Sequence, residues 1–281
     1  MQLAQELVAS QEHLSSLPDL YYKVREALQD AELEIDDLTN LIATDPSLTA
    51  KLLRIANSAF YGFPRKVETL SRAITLIGLG QIGDILLAST LAATFQGIRP
   101  QRMDMSRFWR GSIRRALLCR QFGRHLEERD VERAFVVGLL SDMGHLVMYH
   151  AVPDLMGIVL DTAEDDTLAR AEKERGIIGC DYCEVGAALC TAWQLPDTMS
   201  TIIGNQLSPE NAGDFVAEAA RLNLAISMAE ALNRRETITA ACPLLFADAA
   251  DLSGVDLALL PVFAEHCEAQ LDSVMSSLGL N

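Results

Sequence analysis

The sequence predicts an all-α fold, and three observations carry that expectation. Apolar residues recur at three- and four-residue steps along almost the whole chain. No stretch sustains the apolar–polar alternation of a half-buried strand, and no Asn-Gly or Asp-Gly pair marks a hairpin. Hydrophobic residues make up 49% of 281, enough to fill a core in one large domain or two small ones.

The first clear helix is "SLTAKLLRIANSAF", where Leu48, Leu52, Ile55 and Ala59 fall on one stripe. Asp45-Pro46 before it reads as an N-cap followed by proline at the first helical position. Leu52, Leu53, Ile55 and Ala56 are expected to pack the N-terminal helices together, with Asn57 bonding backbone at the helix end. "SRAITLIGLGQIGDILLASTLAATF" reads as two helices broken near Gly78-Leu79-Gly80. Phe108 to Phe122 is amphipathic, and Phe135 to Met148 is apolar on nearly all sides, which predicts a buried central helix. "CEVGAALCTAW" stays helical until Pro196, and "DFVAEAARLNLAISMAEAL" is helical with few interruptions. The tail sets Phe263, Cys267, Leu271, Val274 and Leu278 on one stripe. Gly97 and Pro100 interrupt the pattern, so an N-terminal helical subdomain is expected over 1–100, a helical core over 101–215, and C-terminal helices packed on that core over 216–281.

Charge narrows the partners. A net charge of −16 works against attraction to nucleic acid or an anionic membrane. The opening residues lack a basic and then apolar leader, and no apolar run reaches the roughly 18–20 residues of a membrane span. Six cysteines in such a chain read as reduced thiols, and the expected location is cytoplasmic. Residues 99–133 depart from the acidic balance, with ten arginines against five acidic residues. The simpler reading is an arginine face paired with the acidic remainder; an anion site is the sharper one.

Several motifs reduce to structure. Cys180, Cys183 and Cys190 fall within about 80° of one another on a helix, but no fourth ligand completes a zinc site, so they read as a core stripe. "LTNLIATDPSLTAKLLRIANS" has the outline of a helix-turn-helix, yet its second helix offers only Lys51 and Arg54 to phosphates. No G-x-S-x-G, P-loop, G-x-G-x-x-G before a helix, or H-E-x-x-H occurs. His145 lies three residues after Asp142, close enough to meet it on one helix face.

Two stretches carry a resemblance to a known family. "DPSLTAKLLRIANSAFYGFPRKVETLSRAITLIGLGQIGDILLAS" resembles the N-terminal half of the HDOD family, the HD-related output domains of bacterial signalling proteins. "FWRGSIRRALLCRQF", "RAFVVGLLSDMGHLVMY" and "GCDYCEVGAALCTAWQLPDTMSTIIGNQLSP" resemble the HD-like half that follows, so the likeness runs from about Leu17 to Pro209. It implies an HD-domain-like helical bundle with an N-terminal helical subdomain and extra C-terminal helices.

The wider HD superfamily contains metal-dependent phosphohydrolases, and the resemblance shows what this chain has in place of their ligands. "W-R-H-S" becomes Trp109-Arg110-Gly111-Ser112, and "H-D-I-G-K" becomes Ser141-Asp142-Met143-Gly144-His145. "D-H-A-E-V-G" becomes Asp181-Tyr182-Cys183-Glu184-Val185-Gly186, and Asn205-Gln206 stand near a later His-His pair. Only Asp142 is kept. A catalytic cation needs several donors converging from different helices, so no metal, no cofactor and no catalytic residue is expected.

The implied function is a non-catalytic signalling module that acts through a protein partner or a small ligand. The candidate pocket is the former metal cavity, marked by Gly111, Ser141, Asp142, His145, Tyr182, Asn205 and Gln206. Arg107, Arg110 and Arg114 are expected at its rim, where they would suit an anionic ligand such as a nucleotide. Asp142, left without a cation, is expected to pair with His145, Tyr182 or a nearby arginine. The alternatives are a phosphohydrolase using Asp142, His145 and a distant carboxylate, and, further off, a nucleic-acid-binding regulator.

Overall fold

Asp45 starts its helix as the sequence predicts: its carboxylate accepts from the backbone N–H of Ser47 (2.8 Å) and Leu48 (3.1 Å), and Pro46 is the first helical residue. The structure, a computed structural model of the chain, describes every residue except 1, 12–16, 31, 96–99, 101, 163–165, 240–247 and 281. Gly97, Arg99 and Cys242 therefore lie outside the described residues.

All the regular elements described are helical: α1 (Gln2–Ala9), α2 (Asp19–Ala27), α3 (Ile35–Ala43), α4 (Pro46–Ala56), α5 (Leu70–Ile77), α6 (Leu79–Thr94), α7 (Met105–His125), α8 (Val131–Leu140), α9 (Met143–Ala151), α10 (Pro153–Thr162), α11 (Thr167–Ile177), α12 (Tyr182–Ala192), α13 (Asp197–Gly204), α14 (Val216–Asn233), α15 (Ala249–Ser253) and α16 (Leu260–Leu278). No single helix among the described residues is long and apolar enough to cross a membrane. The helices form two units, one of Leu17–Gln96 with Glu268–Asn281 and the other of Met1–Ser16 with Gly97–Cys267. This grouping differs from the expected division at 100 and 215. Helix α1 buries Ala4, Leu7 and Val8 and packs on α9 and α12, while the end of α16 belongs with the helices of 17–96.

In the unit of Leu17–Gln96, Gly78 has φ +98°, a conformation that side chains other than glycine's resist. It sets a 112° corner between α5 and α6 at the expected break. Leu52, Ile55 and Ala56 are buried, but Leu53 is half-exposed beside Arg54 in a shallow surface groove, because it sits one step off the α4 stripe. Asn57 clasps the loop that follows α4. Its amide N–H donates to the carbonyls of Leu53 (2.8 Å) and Val67 (2.7 Å), and its Oδ1 accepts from Val67 N–H (2.8 Å). Replacing Asn57 with alanine strands the Val67 backbone pair and should cost about 1–3 kcal/mol in urea denaturation. A loss under about half a kcal/mol would show that water replaces the clasp.

The other unit rests on close helix contacts. Gly138 of α8 stands against the α7 backbone, and Gly144 of α9 against the start of α12. The apolar run 135–148 is not one helix, as its pattern suggests, but two. It turns at Ser141-Asp142, where the Gln206 amide donates to the Ser141 carbonyl (2.9 Å) and Asp142 turns its carboxylate toward α7. The turn thus exchanges helical bonds for side-chain ones. Cys180, Cys183 and Cys190 are buried free thiols, as are Cys119 and Cys267. The α16 stripe of Phe263, Cys267, Leu271, Val274 and Leu278 is buried throughout.

Candidate ligand-binding site

The turn between α8 and α9 brings Asp142 to the buried end of a cavity of about 320 Å³ in the Gly97–Cys267 unit. Arg115, three turns into α7, donates from its guanidinium to Asp142 Oδ2 at 2.9 Å. His145 Nδ1 lies 2.6 Å from Asp142 Oδ1, the i,i+3 contact the sequence predicts. Its Nε2 lies 2.8 Å from Glu174 Oε1, on α11. The second Glu174 oxygen accepts from the backbone N–H of Tyr182 (3.0 Å), the first residue of α12. The Tyr182 ring in turn stacks on His145, with centroids 4.0 Å apart and planes 11° from parallel. Four helices therefore meet in one network.

Its charges cancel. Burial alone would raise the Asp142 carboxyl, but Arg115 and His145 outweigh it and hold the group well below the usual carboxylate range. Burial alone would deprotonate His145, but Glu174 and Asp142 outweigh it and raise the imidazole to about 9. As imidazolium, His145 donates from both nitrogens, so two cations face two carboxylates. Burial raises the Tyr182 phenol well above its ordinary value, and it stays neutral. Glu174 is fully buried, and the Arg115 and His145 side chains are 8% and 6% exposed, so solvent screens these pairs little.

This arrangement does not fit a divalent cation. Both His145 nitrogens are turned onto carboxylates, and both Asp142 oxygens are taken by donors. A Cβ on Gly111 would meet Asn233 Nδ2 at 3.2 Å and the Arg115 guanidinium at 3.8 Å. Arginine and asparagine thus fill the space a longer side chain at 111 would need. Among the described residues, no group of three or more His, Cys, Asp or Glu is arranged to hold a metal.

Of the expected pocket residues, Gly111, Asp142, His145 and Tyr182 line the cavity. Ser141, Asn205 and Gln206 do not: Ser141 donates to the Gly138 carbonyl (2.8 Å), Asn205 to Thr201 (2.8 Å), and buried Gln206 braces the turn. Of the expected rim, Arg107 lines the cavity, but Arg110 and Arg114 do not. Arg114 is buried, and its guanidinium donates to Asn233 Oδ1 at the end of α14. Arg102, Arg170 and Arg234 stand at the cavity in their place, and sequence reading missed them together with Arg115 and Glu174. The spacing Arg107-x3-Gly111-x3-Arg115 was the available signal for Arg115, because steps of four share a helix face.

The model of the HDOD domain matches residues 14–209. The chain belongs to the HDOD family. The fold has solved counterparts: an HDOD domain protein of unknown function from Geobacter sulfurreducens superposes with TM-score 0.71 at 20% identity, covering 99% of this chain and 95% of that one. A Shewanella amazonensis SB2B protein, provisionally named a phosphohydrolase, superposes with TM-score 0.78 at 22% identity and 98% coverage of both chains. At such identities the likeness shows the fold. An uncharacterized protein of Treponema pallidum is 20% identical over 202 residues, 72% of this chain. This HDOD chain spans about 39% of that relative's length.

The network makes one pH-dependent prediction. A raised His145 value contributes stability that is complete below about 6.5 and lost as pH rises through about 9. The lowered Asp142 value contributes stability present above about 4 and lost as pH falls. The urea midpoint should therefore fall between pH 6.5 and 9, and His145→Gln should flatten that fall. An imidazole that titrates near its ordinary value in an NMR titration would contradict the buried imidazolium.

Proposed function

We propose that this HDOD chain is a non-catalytic regulatory module whose former metal cavity is a ligand pocket, with signalling passed on through a protein partner. One observation supports the reading: the Arg115 guanidinium and the His145 ring engage both Asp142 oxygens and one Glu174 oxygen, so these groups are turned onto one another and not toward a cation. Without a cation nothing at this site lowers the pKa of a water or polarises a phosphoryl oxygen. Arginine guanidiniums can bind an anion, but they do not supply a nucleophile. The name of the Shewanella relative carries the competing reading, a metal-dependent phosphohydrolase. Metal analysis of protein purified without added metal, followed by phosphoester and cyclic-nucleotide assays with manganese, separates the two. The expected result is no stoichiometric metal and background turnover. Metal-dependent hydrolysis that disappears in Asp142→Ala would overturn the proposal.

A further inference from the structure

A second cavity, of about 280 Å³, lies in the Gly97–Cys267 unit and shares no lining residue with that of Asp142. Cys119 of α7, Val137 of α8, Ile202 of α13, Leu222 of α14 and Phe215 just before α14 give it apolar walls. The two cavities follow one another along the packing of α7 on α14. Arg107, Gly111 and Arg115 line the first, and Cys119, the next step of four on α7, lines the second. On α14, Ile226 and Glu230 line the first, and Leu222, one step of four earlier, lines the second. The charged groups at the second cavity cancel, with Arg129, Arg133 and Arg221 against Glu128, Asp130 and Glu218. Arg221 pairs with Glu128 at 2.7 Å and lies 3.7 Å from Glu218, while Arg133 pairs with Asp130 at 3.2 Å. Arg129 is exposed to solvent. No net charge is left to select an ion. Burial pushes the Cys119 thiol up to about 12, so that wall is neutral too.

We propose that this second cavity binds a small uncharged molecule with an apolar body and one hydrogen-bonding group. Size sets the body: a cavity of about 150 Å³ encloses benzene, so about 280 Å³ takes roughly ten non-hydrogen atoms. The walls of Val137, Ile202 and Leu222 are themselves buried side chains, so they offer the ligand an apolar surface already shaped by the fold. Thr198, in the first turn of α13, supplies the polar contact. It lines the cavity, and its hydroxyl oxygen is buried without a hydrogen-bond partner among the described residues. An unpaired buried hydroxyl is unfavourable, and a ligand that bonds it removes the penalty. A charged ligand would gain little here, because it must leave water for a site whose carboxylates and guanidiniums already engage one another. Binding at this cavity is independent of what the Asp142 site does.

Calorimetry on the full chain near neutral pH tests this with 2-naphthol, two fused rings bearing one hydroxyl, and with 2-naphthoate as its anionic counterpart. The naphthol should saturate one site with a Kd below about 1 mM, and the naphthoate should bind at least about tenfold more weakly. Ala134→Trp places an indole in the cavity from α8 and should weaken the naphthol about tenfold or more. Thr198→Val keeps the shape but removes the hydroxyl. It should weaken the naphthol about threefold or more without lowering the melting temperature of the free protein. Arg107→Trp crowds the Asp142 cavity instead and should leave the affinity unchanged. No saturable binding, equal binding of the naphthoate, or full affinity in Ala134→Trp or in Thr198→Val would overturn the proposal. So would a loss in Arg107→Trp with binding kept in Ala134→Trp, which puts the probe at Asp142. If Ala134→Trp fails to fold, Thr198→Val and the naphthoate comparison decide.

Discussion

Replacing Arg115 with methionine should cost about 3–5 kcal/mol of folding stability, the scale expected when one member of a buried pair is removed. Arg115 is nearly inaccessible and is the charged partner of Asp142 on the α7 side of the network. Without it, Asp142 and Glu174 share one imidazolium, and a negative charge stays in a region water reaches poorly. The loss should shrink when Asp142→Asn is added, because the second change removes the stranded charge. Urea denaturation of the single and double variants measures both quantities. A single-variant loss under about 1 kcal/mol would mean that the carboxylate finds water or another cation.

Gly144→Ala should be at least as damaging, on steric grounds alone. A Cβ there would lie 1.9 Å from the Tyr182 carbonyl oxygen and 2.9 Å from Gly186 N. Both obstacles are backbone, so no rotamer change can relieve them, and α9 must move off the start of α12. Overpacking ordinarily costs about 1–3 kcal/mol and more when backbone must shift, so a loss above about 3 kcal/mol or failure to fold is expected. Gly176→Ala is the matched control, since it is also helical and nothing lies within 4 Å of its added methyl. It should be neutral or stabilising by up to about 1 kcal/mol. Equal midpoints for the two variants would show that α9 and α12 are not held at the distance described.

Local chemistry made much of the fold readable. Asp45-Pro46 and Gly78 act within a few residues of themselves, and both mark helix boundaries where expected. The stripe of α16 was readable because one periodic face is buried along its whole length. The break at Ser141-Asp142 was not, because the flanking residues are apolar on all sides and neither glycine nor proline stands at the turn. The amide that braces it, that of Gln206, lies 65 residues away. The candidate site divides in the same manner. Asp142 and His145 are neighbours on the chain, so their contact could be expected. Glu174 sits in "RAEKERG", which reads as a solvated surface, yet it is fully buried because α11 turns that one carboxylate onto His145. Arg115 was one arginine among ten until the fold placed it beside Gly111.

The grouping of α1 with α9 and α12, and of the end of α16 with the helices of 17–96, bears on how the chain is made. A ribosome releases residues in order, and domains whose segments are contiguous can fold as they emerge. Here neither unit qualifies. Ala4, Leu7 and Val8 must wait for the helices of 143–192, and the 17–96 helices lack Leu271, Val274 and Leu278 until synthesis reaches them. Closing loops of that length slows the search, since their entropy is lost before the contacts are gained. Neither unit can therefore close before most of the chain has been made.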